Sequence, residues 1–87
     1  MRLDLFLKVT RLIPRRTIAQ ALCDGGKVTV NGVVAKSSRE VKIGDLLVIE
    51  NRNRRFTVRA LLIPVGKSVK NPADYYEVLG EEKCDEF

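Results

Sequence analysis

The stretch Asp24-Gly25-Gly26-Lys27-Val28-Thr29-Val30-Asn31-Gly32-Val33-Val34-Ala35 decides the fold, because the hydrophobic period changes inside it. Upstream, apolar residues recur at helical spacing. From Lys27 to Val30 they alternate with polar ones, the period of a strand with one buried face. Asn31-Gly32 follows at once. A type I′ turn needs positive φ at both central residues, which asparagine and glycine tolerate, so the pair predicts a tight hairpin with Val33 to Ala35 returning. The two glycines before it can end a helix by taking the left-handed conformation just past its last turn.

Working back from this point, Arg15 to Cys23 reads as a helix with Ile18, Ala19 and Leu22 on one apolar stripe. Pro14 separates it from an earlier amphipathic helix over residues 3–12, carried by Leu3, Phe6, Leu7 and Val9 or Thr10. Proline disfavours helical backbone at the residue before it and suits the opening of the next helix. Asp4 falls in the first turn of the first helix, where the dipole favours an acid, with Lys8 four residues on for an i,i+4 pair.

Working forward, Lys36 to Glu40 is a polar loop and Gly44-Asp45 a turn. Leu46 to Glu50 and Phe56 to Ile63 are further strands around a turn at residues 51–55, and Pro64 closes the second. Residues 65–70 form a connector. Asn71-Pro72-Ala73-Asp74 then carries helix-start signals, a cap residue followed by proline and an acid. These predict a short C-terminal helix packed through Tyr75, Tyr76, Val78 and Leu79, with a frayed tail from Glu81. The expected fold class is α+β. Two short N-terminal helices pack on a small, mainly antiparallel sheet, followed by a short C-terminal helix or tail. The expected division is a domain with its strand extension over 1–64, then connector, helix and acidic tail over 65–87.

A chain of 87 residues has room for one thin core. Its 16 lysines and arginines against 11 acids give a net charge of +5, and the excess is polarised along the chain. Residues 1–55 hold 12 basic and 5 acidic side chains, whereas residues 56–87 hold 4 and 6. A basic front and an acidic end suit a face that docks on a polyanion and a tail that stays off it. Cys23 and Cys84 form no C-x-x-C pair and histidine is absent, so both read as reduced thiols, and no metal or cofactor is expected. Charges interrupt the apolar start, leaving no signal-peptide core and no membrane span. The protein is therefore expected to be cytoplasmic, and no enzyme motif is present.

The informative group is Arg2, Lys8, Arg11, Arg15 and Arg16, five cations in the first sixteen residues opposed only by Asp4. At a helix start, Arg16 and the Thr17 hydroxyl can join backbone N–H donors around a phosphate. Arginine also makes the bidentate phosphate contact that lysine cannot. For each cation singly, a solvated helix face explains it as well. The clustering of one sign at two helix starts favours phosphate binding by structured RNA, read through shape and backbone. Lys27 and Lys36 bracket the hairpin and either extend this patch or are solvated strand residues. Arg52, Arg54 and Arg55 make a second basic group, either a solubilising turn or a second RNA contact. Phe6 and Phe56 fall at core positions.

Arg2-Leu3-Asp4 with Leu7, Arg16-Thr17 with Ala19 and Leu22, Gly26 with Val28 and Val30-Asn31-Gly32, and Val41 with Gly44-Asp45 resemble the S-four (alpha-L) RNA-binding domain. The likeness runs in order through about the first fifty residues. Arg15 departs from it, since many members have a serine before the arginine. The stand-alone form is similar to the RqcP type of this family, and more distantly to the fifteen-kilodalton heat-shock type. The resemblance implies a non-catalytic factor that binds the large ribosomal subunit obstructed by peptidyl-tRNA. Its partners would be rRNA, P-site tRNA and an RqcH-type factor that tails stalled chains with alanine. Separately, the protein is expected to be a monomer. It also implies that Arg2 and Arg16 contact RNA and that Asp4 steadies the first helix. Competing readings are a heat-shock-type recycling factor, a general RNA-binding adaptor, and a protein adaptor whose basic face meets an acidic partner.

Overall fold

The computed structural model describes residues 1–51, 54–66 and 69–83. The elements run α1 (Leu3–Val9), α2 (Arg16–Asp24), β1 (Val28–Val30), β2 (Val33–Val34), β3 (Leu46–Asn51), β4 (Arg54–Ala60) and β5 (Tyr76–Lys83). A single turn of 3-10 helix at Pro72–Tyr75 precedes β5. The strands make one antiparallel sheet in the order β2-β1-β3-β4-β5, and the α+β class read from the sequence holds. Both helices lie toward the β1 end, α1 against α2 and α2 against β1. Leu3, Phe6 and Leu7 of α1 and Ala19 and Cys23 of α2 share one buried cluster with Val28, Val30, Leu47, Ile49 and Val58 of the sheet.

The Asn31-Gly32 hairpin forms as expected, with φ of 53° and 84° at the two turn residues. Asn31 is also a fastener. Its side-chain Nδ2 donates to Asp45 Oδ1 at 3.1 Å, and its Oδ1 accepts from the Leu46 N–H at 2.9 Å. The same Asp45 accepts from the Lys42 N–H at 2.9 Å, so hairpin tip and 42–45 turn are one unit. At the end of α2, Gly25 has ordinary φ and Gly26 takes the left-handed one, 79°. Lys27 N–H then bonds the Leu22 carbonyl at 2.9 Å and Gly26 N–H the Cys23 carbonyl at 3.1 Å, which satisfies two orphan carbonyls of the helix.

Five expectations change. The first helix stops at Val9, three residues early, because Arg11 turns left-handed (φ 60°) and donates its N–H to the Lys8 carbonyl. This lets Ile13 fold back into the core. On α2 the buried stripe is Ala19 and Cys23, with Leu22 packed against it, and Ile18 faces solvent. The C-terminal helix is replaced by a strand. The Asn71-Pro72 signals start only a 3-10 turn, after which β5 pairs along the whole of β4. The register shifts between Thr57–Gly80 and Val58–Val78, so Leu79 is the extra residue of a bulge. Tyr76 packs against the core, whereas Val78 and Leu79 are exposed. Glu81, Glu82 and Lys83, expected to fray, are strand residues, and Cys84 and the remaining tail lie outside the described residues. Phe56 is half-buried, below full core burial.

Asn31→Ala is expected to lower stability by about 1–2 kcal/mol, from a left-handed alanine and two lost solvent-exposed hydrogen bonds. Urea unfolding with an unchanged m-value checks this.

Candidate nucleic-acid interface

The charged residues of the two helix starts meet on one carboxylate. Asp4 sits in the first turn of α1, where side chains lean back toward the helix N-terminus, and it is completely buried. Its Oδ1 accepts from the Leu5 N–H at 2.8 Å and from Arg2 Nε at 3.3 Å. Its Oδ2 accepts from Gln20 Nε2 at 2.9 Å and from Arg16 Nε at 3.3 Å, with Arg2 Nη2 at 3.5 Å. Arg16 and Gln20 are one helical turn apart, so they share the face of α2 that looks at Asp4.

Arg16 holds this acid by its inner nitrogen, and Arg2 by its inner nitrogen with Nη2 at longer range. The side chains of Arg2 and Arg16 stay 50% and 45% exposed, so both arginines remain partly presented to solvent. Two exposed cations around one buried anion leave a net positive site with fixed geometry, suited to phosphate oxygens. Burial pushes the Asp4 carboxyl up. The Gln20 amide, the Leu5 N–H, Arg16 and the charge of Arg2 outweigh it and hold the carboxyl below the usual aspartate value.

The expected Asp4–Lys8 pair does not form. Asp4 is turned inward to α2, and Lys8 is half-buried without a salt bridge among the described residues. Arg11 and Arg15 are exposed, Arg11 at the left-handed cap of α1 and Arg15 at the N-cap of α2. Arg15 makes no side-chain cap bond, and Thr17 is exposed one residue into the helix. Lys27 is exposed at the entry to β1 and Lys36 at the start of the 36–40 loop. Of the cations picked out in the sequence, shared contacts among the described residues unite only Arg2 and Arg16.

Sequence reasoning missed Gln20, although its spacing of four from Arg16 was a usable signal. It also missed what the 36–41 loop does. Leu3 N–H donates to the Arg39 carbonyl at 2.7 Å and Asp4 N–H to the Ser37 carbonyl at 3.2 Å, while Val41 N–H donates to the Met1 carbonyl at 2.9 Å. Arg2 bridges Glu40 through the backbone. Asp24, the last residue of α2, accepts from the Ser37 N–H at 3.1 Å and from its hydroxyl at 3.4 Å. The loop thus covers the orphan donors that begin α1, and α2 holds the loop.

The second basic group is differently placed. Arg54 pairs with Glu81 at 3.5 Å, and Arg55 pairs with Glu50 at 3.2 Å and Glu82 at 3.7 Å. Arg52 lies outside the described residues. Cys23 is buried, its thiol pushed up to about 11 by burial and by the charges of Asp24 and Asp4, so it is protonated at neutral pH. Among the described residues no cluster of histidine, cysteine and acids could hold a metal, and no helix is long and apolar enough to cross a membrane.

A helix pair whose starts present arginines, laid on a hairpin sheet, defines a class, and residues 1–47 match the family model of the S4 domain. The chain belongs to the S4 domain family. It is 46% identical over 82 residues to the "RQC P-site tRNA stabilizing factor" of Halalkalibacterium halodurans, spanning 94% of this chain and 93% of that one. Relatives of the same name in Bacillus subtilis and Streptococcus pneumoniae are 42% and 38% identical, over 99% of this chain and 100% and 98% of theirs. In structure it is similar to the trimeric heat shock protein 15 of Vibrio cholerae, with a TM-score of 0.78, 26% identity, and coverage of 90% of this chain and 80% of that one.

Two outcomes follow from the site. The depressed Asp4 carboxyl contributes stability that is fully present above the unfolded value, about 3.9, and is lost as pH falls through the lower folded value. Asp4→Asn should flatten the pH dependence of unfolding in that acid window, measured by urea titration at a series of pH values. Arg11→Gly should raise stability by up to about 1 kcal/mol, since glycine takes the left-handed backbone without steric cost. Thermal unfolding checks the sign.

Proposed function

We propose that the protein is a non-catalytic RNA-binding factor of ribosome-associated quality control. It docks on an obstructed large ribosomal subunit, contacts rRNA and the P-site tRNA, and supports C-terminal alanine tailing by an RqcH-type partner. The observation that carries this reading is the pair Arg2 and Arg16, gathered on one buried carboxylate with both side chains about half exposed. Held side by side in the free protein, the two guanidinium groups present forks suited to the bidentate contact with phosphate. The names of the near-full-length relatives supply the destination, the P-site tRNA. Lys8, Arg11, Arg15, Thr17, Lys27 and Lys36 complete the proposed RNA-facing set around the pair, with Asp4 as its support.

In this reading residues 1–64 carry the RNA contact and 65–87 stay off the polyanion. The ion-paired Arg54 and Arg55 are less available for phosphate, since their acids Glu50, Glu81 and Glu82 would be abandoned. The protein acts in the cytoplasm as a monomer. Likeness in structure to heat shock protein 15 favours one second reading, a large-subunit factor working without a tailing partner.

Sedimentation with purified large subunits, with and without P-site tRNA, separates these. Tighter binding with the tRNA present is expected, falling with salt at a log–log slope of roughly −0.7 to −0.9 per neutralised phosphate. Arg16→Ala should cost on the order of 1–3 kcal/mol of affinity in a folded protein. A flat salt profile points to a protein adaptor, and binding indifferent to the tRNA points to the second reading.

A further inference from the structure

We propose that Gln20 is a positioning residue for the RNA contact: it keeps the buried Asp4 carboxylate satisfied, so that Arg16 can exchange that carboxylate for a phosphate. This rests on the RNA-binding reading above and names how its central arginine is released.

Three donors reach Asp4 Oδ2, and their distances differ. Gln20 Nε2 is at 2.9 Å, Arg16 Nε at 3.3 Å and Arg2 Nη2 at 3.5 Å. The neutral amide therefore makes the short bond to this oxygen and the cations make long ones. Oδ1 is served separately by the Leu5 N–H at 2.8 Å and by Arg2. Asp4 is fully buried while Arg16 is nearly half exposed, so Arg16 can turn outward and Asp4 cannot follow.

That asymmetry sets a cost on the exchange. A guanidinium that swings to a phosphate gives up its carboxylate bond, and a buried charged acceptor left without its donor is strongly unfavourable. Gln20 removes that obstacle. Its amide projects from the same face of α2 one turn along, it carries no charge for a phosphate to attract, and it stays on Oδ2 when Arg16 leaves. Without Gln20, Oδ2 would keep only Arg16 and the more distant Arg2 Nη2, and the acid would hold Arg16 back from RNA.

A plainer role is that Gln20 only fastens α2 to α1. Both roles predict some loss of stability on substitution, but only the first couples Gln20 to Arg16 in binding. Gln20→Met keeps the volume and removes the amide, so it is compared with wild type, Arg16→Ala and the double variant. Affinity is read for purified large subunits carrying P-site tRNA, at low salt, with thermal midpoints showing that each variant is folded.

The expected result is a loss of about tenfold from Gln20→Met in the wild-type background and less than about twofold in the Arg16→Ala background. Equal losses in both backgrounds, or no loss in the first, would overturn the proposal. A second measurement needs no RNA. Solvent exchange of the Arg16 Nε–H, followed by NMR in the free protein, should slow in Gln20→Met because the carboxylate then relies on it. Unchanged or faster exchange would count against the tether itself. Should wild type bind no subunits at all, the RNA reading fails, and the exchange experiment still judges what Gln20 does to Arg16.

Discussion

A buried carboxylate in the first turn of the first helix is the constraint around which the basic face is arranged. Asp4 is an anion without solvent, and an ion so placed is tolerated only when paired and fully hydrogen-bonded. Removing a partner from a buried ion costs about 3–5 kcal/mol, so the acid dictates where its partners go and not the reverse. Arg2 is drawn in at the start of α1, and Arg16 and Gln20 are drawn in from α2. The angle and register of the two helices are thereby tied to the same atoms that place the arginines. Folding of the corner and assembly of the cationic site are one event.

The rest of the fold keeps that corner in place through polar fasteners. Short helices of seven and nine residues have little stability alone, so tertiary contacts must hold them. The 36–41 loop covers the exposed donors at the start of α1, and Asp24 at the end of α2 grips the loop at Ser37. Downstream, Asn31 and Asp45 lock the hairpin tip to the turn that leads into β3. Beneath these, Phe6, Leu7, Ala19 and Cys23 share their core with Val28, Val30 and Leu47. The route from sheet to arginine site is therefore a chain of hydrogen-bonded turns over one apolar cluster.

What could be read from the sequence follows from how local each signal is. The Asn31-Gly32 turn was legible because positive φ at two successive positions is demanded of those two residues alone. The end of α1 was not, since Arg11 takes the left-handed conformation against its own preference, held there by the burial of Ile13 beyond it. Strand β5 was hidden by its bulge: with Leu79 extra, Val78 and Leu79 are adjacent apolar residues that break the period of two and imitate one face of a helix. Proline and acid at positions 72 and 74 strengthened that misreading. At the site, the crowding of cations at two helix starts was visible. Their convergence on Asp4, and the part of Gln20, depended on the packing of α2 over α1.

The two groups of arginines differ in how their acids are placed, which a count of charges does not reveal. Arg54 and Arg55 are as cationic as Arg2 and Arg16, but their acids sit on neighbouring strands at half-exposed or exposed positions. Pairs of that kind are weak and screened by solvent, and a phosphate approaching them meets nearby carboxylates of the wrong sign. Asp4 differs because it is beneath the arginines instead of beside them. Its charge is shielded from an incoming polyanion by the groups it orients. In the proposed RNA-binding reading, an acid covered by its arginines, more than the number of bases, is what distinguishes Arg2 and Arg16 from the cations that secure the sheet.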